Sequence, residues 1–165
     1  NMHYSVGVEY ALHCLIYLAT PSVKPVLTVK ELAEFQGISE TYLSKIFTKL
    51  SKNGIVKATP GVTGGYQLKQ DPAVITFWDV VQAVEGEKQI FRCKNIIGTC
   101  ALHDKKTEAE ECPGKVDCLI NDVMLDAEKQ MELYLKEKNL KWLTEKLEKK
   151  LTKEYQDLTA DWFNG

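Results

Sequence analysis

Residues 28–54 read TVKELAEFQGISETYLSKIFTKLSKNG, and most of the predicted architecture follows from them. The stretch opens with a capping box, because the Thr28 hydroxyl and the Glu31 carboxylate can each satisfy a backbone N–H that a helix leaves unpaired at its start. The predicted helix is short, since Gly37 allows a left-handed exit. Ser39 can cap a second helix only two residues later. The two helices must therefore turn sharply against each other.

The second helix has one apolar and one polar face. Its apolar side chains recur at i, i+3, i+4 and i+7, and we expect them to form a buried stripe; they are Leu43, Ile46, Phe47 and Leu50. With that stripe turned inward, the outward face mixes groups that suit base edges and phosphates; these are Glu40, Thr41, Ser44, Lys45, Thr48 and Lys52. The helix is predicted to end at Asn53-Gly54.

Two short β-type runs follow this helix, Ile55 to Ala58 and Tyr66 to Leu68. Between them, residues 59–65 read TPGVTGG, a turn with three glycines, so the pattern predicts a hairpin. Helix, tight turn, helix and glycine-rich hairpin is the order of a winged helix-turn-helix. In that arrangement the second helix enters the major groove, and the hairpin lies along a phosphate backbone or in a minor groove.

Lysines outnumber acids in this part of the chain. Residues 39–69 hold five lysines against one acid, Glu40, which is a balance of +4 in a chain of formal net charge −2. This balance favours DNA as the partner; a solvated lysine surface and a protein-binding scaffold are the alternatives. The candidate DNA-binding residues are Ser39, Glu40, Thr41, Tyr42, Ser44, Lys45, Thr48, Lys52, Lys57, Thr63, Gly64 and Gly65.

Further helices are predicted on both sides of this segment. Residues 4–19 and 76–86 have helical apolar spacing, and residues 119–138 carry a stripe long enough to predict a partner helix from a second subunit. The fold class is therefore mainly α with a small β-hairpin wing. The predicted organisation is a winged helix-turn-helix domain over 2–86, a cysteine-bearing sensor loop over 87–118, dimerisation helices over 119–152 and a C-terminal tail over 153–165, to which the sequence assigns no role.

Four of the five cysteines fall where periodicity disappears, and they are Cys93, Cys100, Cys112 and Cys118. In a chain expected in the cytoplasm, such a cluster favours a metal site or a redox switch over disulfides. The intervals of six, eleven and five residues match zinc sites poorly, whereas thiolate ligation of an iron–sulfur cluster tolerates them. Free thiols in a loop are the alternative.

Glu9 and His13 lie one turn apart on the first predicted helix. Such a pair is usually a surface pair of small energy. Alternatively, the carboxylate and the imidazole could complete a cluster whose thiolates come from elsewhere in the chain. Cys14 lies among apolar residues and is expected in the core.

The chain resembles the Rrf family of winged-helix regulators, the IscR/NsrR group of iron–sulfur and redox-responsive repressors. The resemblance covers nearly the whole chain and is carried by several short segments. These include Ile38 to Leu43, Gly64-Gly65-Tyr66, Ala83-Val84-Glu85-Gly86 and Cys112-x5-Cys118-Leu119. One departure is the wing, which begins Thr59-Pro60-Gly61 where similar proteins often have Arg-Gly.

The resemblance implies a homodimer that binds a partly palindromic operator and carries an iron–sulfur cluster. By that resemblance the loop ligands would be Cys100, Cys112 and Cys118. Cys93 is the alternative to Cys100 as the first of the three ligands. Some members add a carboxylate and an imidazole from the first helix of the partner subunit, here Glu9 and His13. Together with Cys112 and Cys118 these would favour a two-iron cluster, and a four-iron cluster is the alternative.

The expected function is therefore a dimeric DNA-binding repressor without enzymatic activity that senses redox, nitric oxide or iron–sulfur status. A metal-free thiol switch on the same fold and a winged-helix protein-interaction scaffold are the alternatives. A large multidomain enzyme is excluded by the length of 165 residues. No apolar run approaches the roughly 18 residues of a membrane span, and we expect a cytoplasmic protein.

Overall fold

The computed structural model describes residues 4–87 and 118–165. They belong to two compact units, one formed by Tyr4–Glu87 with Leu135–Gly165 and the other including residues 118–134. The helices are α1 (Val6–Ala19), α2 (Val29–Gln36), α3 (Glu40–Lys52), α4 (Phe77–Glu85), α5 (Leu119–Glu137), α6 (Leu140–Lys150) and α7 (Lys153–Asn164). The strands are β1 (Val56–Thr59) and β2 (Gly65–Leu68). The prediction of a mainly helical winged helix-turn-helix is confirmed.

The helix boundaries follow from the caps that the sequence indicates. The Glu31 backbone N–H donates to the Thr28 hydroxyl at 3.0 Å, and the Thr28 N–H donates back to the Glu31 carboxylate at 3.4 Å. Gly37 ends α2 with a left-handed φ of 68°, and the Ser39 hydroxyl accepts the Tyr42 N–H at 3.2 Å. The capping box therefore specifies the start of α2, and Gly37 and Ser39 specify the tight turn between α2 and α3.

The core of the first unit is built around α3. All four residues of its predicted stripe are buried, none more than 3% exposed; they are Leu43, Ile46, Phe47 and Leu50. Cys14 is also buried, as predicted, and its Sγ accepts a hydrogen bond from Gln36 Nε2 at 2.9 Å. Burial raises the pKa of this thiol to about 12, so Cys14 stays protonated at neutral pH.

The hairpin is tied to the segment before α2. The two strands pair antiparallel, from Val56 opposite Leu68 to Thr59 opposite Gly65. Leu27 adds a single antiparallel bridge to Tyr66, with N···O distances of 3.0 and 2.7 Å. The Tyr66 ring packs 4.9 Å from that of Phe47. The wing is therefore joined both to the chain entering α2 and to the buried face of α3.

The C-terminal helices also contribute to this unit. Leu140, at the start of α6, is fully buried, and its N–H donates to the Ile75 carbonyl at 3.0 Å. The region predicted as a tail forms α7, which packs Phe163 against Tyr17 and Phe35 with ring centroids 5.1 and 4.7 Å away. Asn164 then exchanges two hydrogen bonds of 2.8 Å with the backbone of Ser22 and Lys24. The tail therefore has a structural role that the sequence did not indicate.

Helix α5 has a different character. None of its residues is buried within the described part of the chain. Ile120 and Val123 of the predicted stripe are 73% and 64% exposed. Among the described helices, none is long and apolar enough to cross a bilayer.

We expect Phe163→Ala to lower the free energy of unfolding by about 3 kcal/mol, because it removes a buried aromatic ring and leaves a cavity. Urea denaturation followed by circular dichroism measures this loss. Leu158→Ala is the matched control on the same helix, since Leu158 is 61% exposed, and it should change stability by less than about 0.5 kcal/mol. Equal stabilities of the two variants would contradict the docking of α7.

Candidate DNA-binding site

The polar face of α3 is exposed, as the sequence predicts. Its exposed side chains are Glu40, Thr41, Ser44, Lys45, Thr48 and Lys52. The Thr48 hydroxyl donates to the Ser44 carbonyl at 3.0 Å, which fixes its orientation on the helix. Because the opposite face is buried, this face is the part of α3 that can meet a ligand. Hydroxyls and lysines of this kind bind phosphates and base edges.

Two candidate residues at the start of α3 are held by contacts inside the protein. The Ser39 hydroxyl is occupied by the Tyr42 N–H as the N-cap. The Tyr42 ring lies edge-on to Tyr10 of α1, with centroids 5.9 Å apart, and is 37% exposed. Ser39 therefore caps α3, and Tyr42 connects the start of α3 to α1.

The positive segment contains five lysines, and one of them bonds to the protein itself. They are Lys45, Lys49, Lys52, Lys57 and Lys69. Lys49 Nζ donates to the carbonyl of Val84 at 3.2 Å, at the end of α4, where a positive charge also stabilises the helix dipole. The other four are exposed, and they form no ion pair within the part of the chain that the structure describes. Lys45 and Lys52 on α3 and Lys57 on β1 therefore remain available for a polyanion.

The glycines of the wing have a steric reason to be glycine. A Cβ on Gly64 would lie 2.5 Å from the Thr59 carbonyl oxygen, and one on Gly65 would lie 2.6 Å from that of Leu27. Gly65 also has a φ of +150°, which L side chains rarely adopt. Both were predicted as DNA-binding residues, and the structure shows that they close the hairpin. Thr63 is exposed near the tip, next to the fully exposed Val62.

The candidate cluster ligands are only partly described. Cys118 is a half-buried free thiol just before α5, whereas Cys93, Cys100 and Cys112 lie outside the described residues. Glu9 Oε1 and His13 Nε2 are 4.0 Å apart on the exposed side of α1, as predicted for neighbours on one helix face. Within residues 4–87 and 118–165, no group of three His, Cys, Asp or Glu side chains could hold a metal ion. The described residues alone therefore do not make a complete metal site.

Sequence comparisons find relatives that are named as transcriptional regulators. The chain is 26% identical to YwgB of Bacillus subtilis, named as an HTH-type transcriptional regulator, over 141 residues that span 86% of this chain and 83% of YwgB. It is 34% identical over 97 residues to the HTH-type transcriptional regulator IscR of Escherichia coli. That match spans 59% of each chain.

Solved structures show the same fold. IscR of T. potens superimposes with a TM-score of 0.62 at 23% identity, covering 93% of this chain and 95% of that one. The oxidized form of Staphylococcus aureus CymR also has a TM-score of 0.62, at 22% identity, covering 87% and 96%.

A family profile identifies the class of protein. The Rrf2 profile, described as iron-dependent transcriptional regulator, matches residues 4–146 and so covers every element from α1 to most of α6. The helix-turn-helix with its lysine-bearing face and the hairpin beside it all fall inside this match. The members of this family are transcriptional regulators and not enzymes. The chain therefore belongs to the Rrf2 family of DNA-binding transcriptional regulators.

Proposed function

We propose that the protein is a homodimeric repressor that binds a partly palindromic operator and responds to redox, nitric oxide or iron–sulfur status. The observation that carries the DNA-binding part is the exposed lysine and hydroxyl face of α3, directly opposite a fully buried stripe. The sensing part rests on the cysteines of the segment 87–118 and on the iron-dependent description of the family.

DNA binding follows from how α3 is held. Thr41 and Ser44 lie in its first turns, where a recognition helix contacts base edges. Lys45 and Lys52 would bind phosphates, which supply affinity that falls steeply with salt concentration. Lys57 and Thr63 of the wing would add contacts beside them, without the arginine that a narrow minor groove attracts.

The second subunit would be held by α5. Several of its large apolar side chains, among them Ile120, Val123 and Tyr134, are exposed along a helix of 19 residues, and a partner helix would bury them. An identical chain offers a self-complementary stripe and would place two α3 helices on one operator, about one DNA turn apart. A palindromic operator is the expected consequence.

The proposed sensor uses Cys112 and Cys118 with Glu9 and His13, or three loop cysteines that include Cys100 or its competitor Cys93. When bound, an iron–sulfur cluster supplies bonds that oxidation or nitrosylation can break. Thiolate, carboxylate and imidazole all suit iron. Glu9 adjoins Tyr10, whose ring contacts Tyr42 at the start of α3. The helix that carries Glu9 and His13 therefore also contacts the recognition helix, through Tyr10.

A thiol switch without metal is the second candidate for the sensor. The oxidized form of CymR and IscR superimpose on this chain with the same TM-score of 0.62, so the fold does not favour a cluster over a thiol switch. In that case the cysteines of the loop would change state by oxidation, and the DNA-binding face would be the same.

Reversing two charges on α3 tests the DNA-binding face. We expect Lys45→Glu combined with Lys52→Glu to weaken binding to a duplex from the promoter of the protein's own gene on the order of 100-fold. The slope of log affinity against log salt should fall by about 3.6, because the proposed dimer loses two phosphate contacts from each subunit. Fluorescence anisotropy at several salt concentrations measures both. The control, Lys146→Glu with Lys150→Glu on α6, changes the net charge equally and should retain most affinity. Unchanged binding by the α3 variant would instead favour the protein-interaction scaffold.

The stripe on α5 can be tested by sedimentation velocity. Ile120→Glu with Val123→Glu should convert the dimer to a monomer, because four charges would enter the proposed interface. Lys129→Glu produces the same net charge change on the side of the helix opposite Ile120, about two and a half turns further along, and should remain dimeric. A wild-type monomer, or a double variant that stays dimeric, would exclude this interface.

Anaerobic purification followed by absorption spectroscopy with iron and sulfide assays tests the cluster. Cys112→Ala or Cys118→Ala should abolish the visible absorption, whereas Cys14→Ala should keep it, since Cys14 is a core residue. Full iron content in Cys93→Ala would remove Cys93 from the ligand set, and iron loss in Glu9→Ala would support ligation from α1. A colourless, iron-free wild type would select the thiol switch.

A further inference from the structure

Residues of helices α1, α2 and α7 line an open pocket of about 310 Å³. This volume lies at the lower end for ligand pockets and suits a small molecule. Phe35 and Gln36 form the α2 side, and Tyr155 forms the α7 side. The Rrf2 match ends at residue 146, so the wall that Tyr155 provides is not implied by membership of the family.

Four of the residues that line the pocket are aromatic. Tyr10 and Tyr17 come from α1, in addition to Phe35 and Tyr155. The ring of Tyr17 lies 5.1 Å from that of Phe35, in an edge arrangement. Burial raises the pKa of Tyr17 to about 12, with smaller contributions from Tyr155 and Cys14, so this phenol stays neutral at physiological pH. Clustered neutral aromatic rings attract a cation through their quadrupoles.

The polar groups of the pocket are mainly acceptors. Glu9 contributes a carboxylate, 69% exposed, whose neighbour His13 is 4.0 Å away. Gln36 uses its amide nitrogen in bonds to Cys14 Sγ and the Leu32 carbonyl, which leaves its amide oxygen free to accept. No lysine or arginine is among the residues that line this pocket in the described part of the chain. A cation would therefore meet the Glu9 carboxylate here, whereas an anion would meet no lysine or arginine.

We infer that this pocket binds a small organic cation, a quaternary or primary ammonium compound, between the aromatic rings and Glu9. Quaternary ammonium groups are the ligands that aromatic cages recognise. The site adjoins the helix-turn-helix, because Gln36 is the last residue of α2 and Gly37 begins the turn into α3. Binding of the cation does not depend on DNA binding, so the two can be tested separately.

Isothermal titration calorimetry of the full-length protein with choline tests the inference. The neutral isostere 3,3-dimethyl-1-butanol has the same shape without the charge. The titrations use iron-free protein in EDTA, because an iron–sulfur cluster held by Glu9 and His13, as proposed above, would occupy the same carboxylate. We expect choline to bind the wild type, the isostere to bind at least 10-fold more weakly, and Tyr155→Ala to weaken choline binding by about 10-fold.

Leu158→Ala is the control, since Leu158 is exposed on the same helix but does not line the pocket. It should bind choline as the wild type does. Tyr155→Phe should also retain binding, because the ring supplies the attraction, and this variant separates loss of the ring from loss of α7 packing. Equal affinity for choline and its isostere, or no binding of choline at 10 mM or less, would overturn the inference even if the protein binds DNA.

Discussion

The burial of one face of α3 is the constraint on which the rest of the molecule depends. Leu43, Ile46, Phe47 and Leu50 occupy the centre of the core, so the rotation of the helix about its own axis is determined. A recognition helix that could rotate by one residue would present different side chains to its ligand. The apolar stripe therefore specifies the reading face as firmly as the polar residues do, although it never touches DNA.

The contacts around α3 extend this constraint in both directions along the chain. Tyr42 packs on Tyr10 of α1, Phe47 packs on Tyr66 of the wing, and Lys49 bonds to the end of α4. Each contact joins α3 to an element distant in sequence. Displacing any one of these elements would therefore change the position of α3, which is the physical basis for a regulator that responds at one place and acts at another.

Local interactions were the part of the fold that could be predicted from the sequence. The capping box of Thr28 and Glu31, the left-handed Gly37 and the stripe of α3 all depend on residues within one or two turns of each other. The bridge between Leu27 and Tyr66 is a single pair and leaves no periodic signal. The docking of Phe163 joins residues more than 120 positions apart, and no local pattern encodes it.

In the candidate site, too, local patterns were predictable from the sequence, whereas long-range contacts were not. The outward face of α3 follows from helical periodicity, and the structure shows it exposed. In the sequence, Lys49 resembles the neighbouring lysines. Charge alone does not reveal that its amine bonds to the Val84 carbonyl. Gly64 and Gly65 were assigned to DNA, and only the positions of the Thr59 and Leu27 carbonyl oxygens show why a side chain is excluded there. The roles of Cys93, Cys100 and Cys112 stay predictions, since these residues lie outside the described part of the chain.

The anchoring of the hairpin has a consequence for how operator preference can evolve. The base of the wing is held by backbone hydrogen bonds and by two glycines at which a Cβ would clash with the backbone, and Gly61 in the turn has a φ of +105° that favours glycine. The other residues at the end of the wing, Pro60, Val62 and Thr63, are exposed. Exchanges at the end can thus alter which groove shapes are favoured while folding stability stays intact. Related proteins could therefore come to bind different promoters through substitutions at these few positions.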